Sequence, residues 1–219
     1  MGIYIDNNIT YSGAGALIVE DYYKRDGTIE PCIILVKNKA SGEYTDFGGG
    51  YEKKHGSLQI TALKELREES RNLFNIAPRF FTDNNSVDLP APSDHFYKLY
   101  ILKINGVSRK YFLHNSRLLD MLHQKNIIHI PRYWRETDDI SHIPIKNIDF
   151  KKMDKRGKII LQDVDGKSII ISGRIKKGLH YGKQTILRQL KQQPIARRRD
   201  LNKYKSTDWL NNTYSYVLK

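Results

Sequence analysis

A single cysteine, Cys32, stands among 219 residues, so no internal disulfide can form. Its neighbours Ile33-Ile34-Leu35-Val36 place it on a buried strand, and a lone packed thiol suits a reducing compartment. No apolar run approaches the roughly 20 residues that cross a bilayer. The opening Met1-Gly2-Ile3-Tyr4-Ile5-Asp6 has neither a signal-peptide core nor the Ser or Thr of a myristoylation site. A soluble intracellular protein without a membrane partner is the expectation. The histidines and the cysteine show no H-x-x-x-H or C-x-x-C spacing, which argues against zinc. G-x-S-x-G and Walker sequences are missing too, removing the usual serine-hydrolase and P-loop chemistries.

Acids are scarce where cations are dense. Residues 1–149 carry 19 Lys+Arg and 19 Asp+Glu, whereas residues 150–219 carry 18 Lys+Arg and 5 Asp, so the last third holds the whole net charge of +13. A neutral region joined to a basic one suggests an electrostatic platform for a polyanion. Arg197, Arg198, Arg199, Lys203 and Lys205 alternate with Trp209, Tyr214 and Tyr216, pairing phosphate-tracking charges with rings that stack on bases. The same rings could instead dock the tail while its charges are merely solvated. Lys151, Lys152, Lys155 and Arg156 form one further cluster, and Arg174, Lys176 and Lys177, assigned to the second hairpin, form another. A polyanion partner is the expectation; highly phosphorylated inositols would be attracted as well as RNA, so charge alone does not identify RNA.

Local signals divide the chain into elements. Ser12–Glu20 and Ile33–Lys37 read as strands of a hairpin turning at Asp26-Gly27. Tyr44–Phe47 reads as a short strand entering Gly48-Gly49-Gly50, a loop in which missing side chains permit a sharp turn and close approach to phosphate. Ser57 is the expected N-cap of a helix containing Ala62-Leu63-Lys64-Glu65-Leu66-Arg67-Glu68-Glu69-Ser70. Further on come a strand over 95–104, a helix over 115–125, a strand over 133–136 and an extended segment over 140–145. A second hairpin turns at Asp165-Gly166, and a last helix spans 182–193.

Glu65, Glu68 and Glu69 share one wedge of about 100° on a helical wheel, opposite Ile60, Ala62, Leu63, Leu66 and Leu73. Like charges at such spacings destabilise a helix by some tenths of a kcal/mol per pair. A hard divalent cation on carboxylate oxygens removes that repulsion, and Mg²⁺ or Mn²⁺ suits the donors. The plain alternative is a solvated acidic face.

The glycine triplet and this acidic helix together resemble the signature box of the Nudix hydrolase superfamily, G-x5-E-x7-R-E-U-x-E-E-x-G-U with U a bulky aliphatic residue, over residues 50–72. Lys64-Glu65-Leu66-Arg67-Glu68-Glu69 carries the match. Three positions depart from it. The box arginine is Lys64, which keeps the charge and loses the bidentate fork. Its early glutamate falls on Gly56, the nearby acid being Glu52, so a shifted loop is expected over 52–57. Its closing glycine is Arg71, with Asn72 the expected left-handed residue ending the helix.

The resemblance covers roughly residues 12–193 and implies an α/β/α sandwich around a mixed β-sheet. Residues 1–193 would form the Nudix domain, with an inserted β-hairpin at about 156–172, and residues 194–219 a basic aromatic extension. It further implies hydrolysis of a diphosphate linkage in a nucleotide-containing substrate. Glu65, Glu68, Glu69 and Gly49 would hold Mg²⁺ or Mn²⁺, while Gly48, Gly49, Gly50 and Glu52 would meet substrate. Lys64 would orient the acids. Glu69 or Glu136 would be the general base, with Glu68 beside them in the catalytic set and Asp138 and Asp139 behind Glu136. The basic last third, with Arg197, Arg198 and Arg199 as substrate contacts, favours a capped or 5′-phosphorylated RNA end, as in mRNA decapping. Small nucleotides and diphosphoinositol polyphosphates are alternative substrates. The altered loop also leaves open a Nudix-fold module that binds RNA or protein without turnover. Oligomeric state is not legible.

Overall fold

Fifteen residues from Ile9 to Tyr23 form the longest strand, and most of the sheet is built on it. The computed structural model describes residues 2–74, 76–125 and 132–195. In chain order its elements begin with β1 (Tyr4–Asp6), β2 (Ile9–Tyr23), β3 (Ile29–Asn38), β4 (Tyr44–Thr45), β5 (Phe47–Gly50) and α1 (Leu58–Glu69). They continue with β6 (Ser86–Pro90), β7 (Phe96–Lys103), α2 (Arg109–Gln124), β8 (Thr137–Pro144), β9 (Ile159–Gln162), β10 (Ser168–Ile171) and α3 (Gly173–Leu190). The strands form one mixed sheet in the order β6-β7-β2-β3-β4-β10-β9, with β1 and β5 also paired to β2 and β8 to β3.

Along one edge of β2 three partners follow one another: β1 against its start, β5 against 13–16, and β3 against 18–23, all antiparallel. Its other edge carries β7 in parallel. The β2–β3 hairpin forms as expected, with Gly27 at φ 82 in its turn. β9 and β10 pair antiparallel around Gly166 at φ 78, and β10 joins the sheet by a parallel bridge from Ile171 to Tyr44.

Helices cover both faces. α1 and α2 lie over a core of Phe47, Leu63, Leu66, Phe74, Tyr100 and Phe112. α3 lies over a second core that contains Leu99, Ile101, Ile175, Leu179 and Ile186. This is the expected α/β/α sandwich with a mixed sheet. Cys32 is buried on β3, and burial pushes its thiol well above the ordinary range. Among the described residues no helix is long and apolar enough to cross a membrane.

Several boundaries differ from expectation. Ser108, not Asn115, caps α2, accepting from the Tyr111 N–H. Tyr133 to Arg135 fall in a short 3-10 turn (132–135) instead of a strand. α3 starts at Gly173, about two and a half turns before the expected Gly182. Its glycines serve close packing: a Cβ on Gly178 would stand 2.8 Å from Leu99 Cδ2, and one on Gly182 would stand 3.3 Å from Ile101 Cδ1. Glycine weakens a helix by roughly 1 kcal/mol relative to alanine, so sheet contact outweighs propensity here. Arg174, Lys176 and Lys177 accordingly belong to the first turns of α3 and not to the hairpin.

Candidate functional site

The Gly48-Gly49-Gly50 segment is a strand, not the expected loop. Gly50, Gly49 and Gly48 stand opposite Gly13, Ala14 and Gly15 of β2, and none of the three has positive φ. Close approach, not backbone freedom, requires the glycines. A Cβ on Gly49 would lie 2.6 Å from Glu65 Cδ and 2.7 Å from both carboxylate oxygens. One on Gly48 would overlap the Tyr97 hydroxyl and stand 2.6 Å from Gly15 Cα. Bare backbone thus lets α1 settle onto β5.

α1 is capped by Ser57, whose side chain accepts from the Ile60 N–H, as expected. Apolar contact on one face comes from Leu58, Ala62, Leu63 and Leu66, whereas Ile60 is exposed and is no core residue. The acids do not form a solvated face. Glu68 is 3% and Glu69 is 7% exposed, and Glu65 is half-buried between them and β5. The Gly48 N–H donates to Glu69 Oε2 at 2.7 Å, fixing strand to helix. Burial raises all three carboxyls: Glu65 to about 7, Glu68 to about 8, and Glu69 well above its usual range. Lys64 lowers the first two and Arg174 the third, but neither overcomes desolvation. Uncompensated burial of three acids on one helix is costly.

Lys64 Nζ lies 3.6 Å from Glu68 Oε1 and 3.6 Å from Glu52 Oε1, so Glu52 reaches the acid cluster from the preceding loop. The loop closes through Gly56 at φ 72, which explains a glycine where the box has its early glutamate. Lys64 Nζ also donates to His55 Nε2 at 3.1 Å. That leaves the His55 proton on Nδ1, donated to Thr61 Oγ1 at 3.1 Å, and the Thr61 hydroxyl donates to the Ser57 carbonyl at 3.0 Å. Burial first, then Lys64, lowers the His55 pKa, consistent with a neutral ring. His55 is therefore turned into α1, and its contribution is to hold Lys64.

Below β5 lies a buried cluster that sequence reasoning missed. Arg174 donates from Nε to Asp46 Oδ1 at 2.6 Å and from Nη2 to the Gly48 carbonyl at 2.9 Å. Its guanidinium also lies 4.8 Å from the Tyr97 ring centroid, and the Tyr97 hydroxyl donates to Asp46 Oδ2 at 2.7 Å. Burial alone would lower the Arg174 pKa; Asp46, with Tyr97 and Glu69, more than offsets this and keeps the cation charged. No local pattern marks Arg174, because its partners are 126 and 128 positions away.

At the helix end both Arg71 and Asn72 adopt φ 57, so the left-handed step takes two residues and not Asn72 alone. Arg71 is fully buried, and its Nη2 donates to the Thr137 carbonyl at 2.5 Å. Thr137 Oγ1 donates in turn to the Glu69 carbonyl at 2.8 Å. These bonds fix the start of β8, and Glu136 just before it is exposed. Glu136 is close enough for its charge to raise the Glu65 pKa. Asp138 and Asp139 are otherwise engaged. Asp138 pairs with Lys37 at 3.4 Å. Asp139 accepts from Arg109, Lys167 and Tyr44. Arg197, Arg198 and Arg199 lie outside the described residues.

The expected metal cage is not ready-made. Among the described residues no three Asp, Glu, His or Cys side chains converge to hold an ion. Glu69 is turned to the Gly48 N–H and Glu68 leans toward Lys64, which separates the donors. The donor chemistry nevertheless fits Mg²⁺ or Mn²⁺: hard carboxylate oxygens whose ionisation is penalised by burial that neither Lys64 nor Arg174 overcomes, a penalty a bound cation would offset.

No family model matches the chain, and no curated protein matches it. Solved structures do. A C. elegans Ap4A hydrolase binary complex is similar over 44% of this chain and 67% of its own, at 20% identity and TM-score 0.33. The NUDIX domain of Shewanella oneidensis NrtR, complexed with ADP ribose, is similar over 62% and 73%, at 13% identity and TM-score 0.35. These are low-overlap likenesses, and the chemistry of the site rests on the side chains described above.

Proposed function

We propose that the chain is a metal-dependent Nudix-type hydrolase of diphosphate linkages in nucleotide-containing substrates. The observation that carries this reading is the burial of Glu65, Glu68 and Glu69 on one helix against the glycine strand β5, with their pKa values raised. A structural acidic face would be solvated; acids kept in this state have a use for a cation. Glu65 and Glu68, with Glu69 behind them, would hold Mg²⁺ or Mn²⁺. Such an ion polarises a phosphoryl oxygen and offsets charge that develops there. Lys64, steadied by His55, orients Glu68 and contributes positive charge beside the diphosphate. Glu136, exposed and in the field of Glu65, accepts the proton of the attacking water. Glu69, committed to the Gly48 N–H, positions strand and helix. Arg174 braces the same strand from below.

An RNA 5′ end is the substrate we favour, because the net positive charge lies in residues 150–219 beside a neutral remainder. Small nucleotide-containing diphosphates are the second reading, the similar structures being an Ap4A hydrolase and a domain complexed with ADP ribose. Turnover of capped RNA, 5′-triphosphorylated RNA, a dinucleoside polyphosphate, ADP-ribose and a diphosphoinositol with Mg²⁺ or Mn²⁺ tests both. Glu68→Gln and Glu136→Gln should each lower turnover by at least 10²-fold. A parent inert on the whole panel would leave a binding module.

A further inference from the structure

Two basic clusters that are distant in sequence form one surface in the fold. α3 contains Arg174, Lys176, Lys177, Lys183 and Arg188 and no acid. The segment before β9 carries Lys151, Lys152, Lys155, Arg156 and Lys158. Lys176 Nζ donates to the Lys155 carbonyl at 2.6 Å and to the Gly157 carbonyl at 2.8 Å, stitching that segment to α3. About two turns further along, Lys183 Nζ lies 5.6 Å from the centroid of the Phe150 ring. Asp149 and Asp154 are the acids within the patch; Arg174 is paired with Asp46 at 2.6 Å beneath β5, and Lys152 with Asp149 at 3.2 Å. Lys151, Lys155, Arg156, Lys158, Lys176, Lys177 and Lys183 have no carboxylate partner among the described residues. Folding has gathered like charge without neutralising it, which is unfavourable unless an anion is expected.

Tyr181 stands on the outer side of α3 at 52% exposure, edge-on to His180 at 4.8 Å between ring centroids. An exposed ring among cations supplies what a charged membrane face does not require: a plane on which a base can stack. α3 also points at the acid site, because Arg174 in its first turn holds Gly48, one residue from the glycine that faces Glu65. From Arg174 to Arg188 the helix extends about 21 Å at 1.5 Å per residue.

We infer that the outer face of α3 and the 150–158 segment form a track for single-stranded RNA whose 5′ end lies at the α1 acids. This rests on the hydrolase reading for its direction, not for its existence. Cations of the track follow the phosphates and Tyr181 takes a base. Binding is sequence-tolerant, since phosphates and stacking faces are common to all four nucleotides.

The test uses the full chain and a fluorescent single-stranded RNA, with affinity measured across a salt series. Lys151→Gln, Lys155→Gln and Lys183→Gln together should weaken binding at least tenfold at moderate salt. They should also flatten the slope of log affinity against log salt by about 2, at about 0.7 per lost phosphate contact. Tyr181→Ala should weaken binding about 5- to 150-fold with an unchanged slope, and Tyr181→Phe should restore it. Hydrolysis of a dinucleoside polyphosphate should be unchanged in all of them, and thermal melting should match the parent. Parent-like RNA affinity and slope in the triple variant, or no RNA binding by the parent, would overturn the track. Loss of binding to acidic phospholipid vesicles with RNA binding intact would overturn it in favour of a membrane face. If RNA binding falls as described but no substrate is hydrolysed by the parent, the track stands and the hydrolase reading falls.

Discussion

Glu68→Gln should stabilise the metal-free protein, although it removes an ion-pair partner. Glu68 is 3% exposed and its carboxyl is held at about 8 against 4.5 for the free group, with burial as the first cause. A raised carboxyl pKa penalises the ionised fold. Its full stability is present below about pH 4.5 and is lost as pH rises through about 8. At roughly 1.4 kcal/mol per decade the penalty at high pH reaches at most about 5 kcal/mol. Solvent relaxation and the lost contact with Lys64 offset much of that, leaving an expected gain of about 1–2 kcal/mol at pH 8.5 and almost none at pH 5. For a chain of this size that is a melting shift of about 2–8 °C. Melting is followed in EDTA from pH 5 to 9, then with Mn²⁺. The parent should lose stability as pH rises and regain it with Mn²⁺, whereas the variant should be flatter in pH and respond less to the ion. A variant less stable than the parent at pH 8.5, with the same pH slope, would show that Glu68 is not a strained carboxylate.

Three further outcomes follow from the geometry. Gly49→Val must push α1 from β5, since even a Cβ meets Glu65 at 2.6 Å; a loss of about 1–3 kcal/mol and of turnover is expected by melting and rate assays. Asp139 is raised by burial, but Arg109, Lys167 and Tyr44 bring it to about 2, so its stabilisation of about 2 kcal/mol is full above about pH 4 and lost as pH falls toward 2. Asp139→Asn should therefore lower melting at pH 7 by about 4–8 °C, and acid titrations should show the difference shrinking below pH 4. His55→Ala should remove one of the groups that position Lys64 and lower kcat about tenfold with little change in KM, while His55→Gln, which can still accept from Lys64, should restore much of it.

Local chemistry was readable from residues alone. Ser57 at the start of α1, Asp26-Gly27 between β2 and β3, and Asp165-Gly166 between β9 and β10 act within a few positions, so short-range signals suffice. Glu65, Glu68 and Glu69 were grouped by helical spacing, but a wheel does not reveal that β5 covers them. Three glycines in a row read locally as a sharp loop; only the facing Glu65 and Tyr97, distant in sequence, make them a strand. α3 was truncated at its glycines for a related reason, its contact with Leu99 being tertiary. Arg174 reads as one of the basic residues of the second hairpin, because its partners Asp46 and Gly48 are far away in sequence.

The central claim is that the buried acids of α1 perform metal-dependent cleavage of a diphosphate bond. Its most direct test is ³¹P NMR of capped RNA and a dinucleoside polyphosphate incubated with the protein and Mn²⁺, beside Glu68→Gln and an EDTA control. Cleavage of a phosphoanhydride bond by the parent, abolished by EDTA and reduced at least 10²-fold by the substitution, is the predicted result. Cleavage that persists at the parent rate in Glu68→Gln or in EDTA would contradict the account.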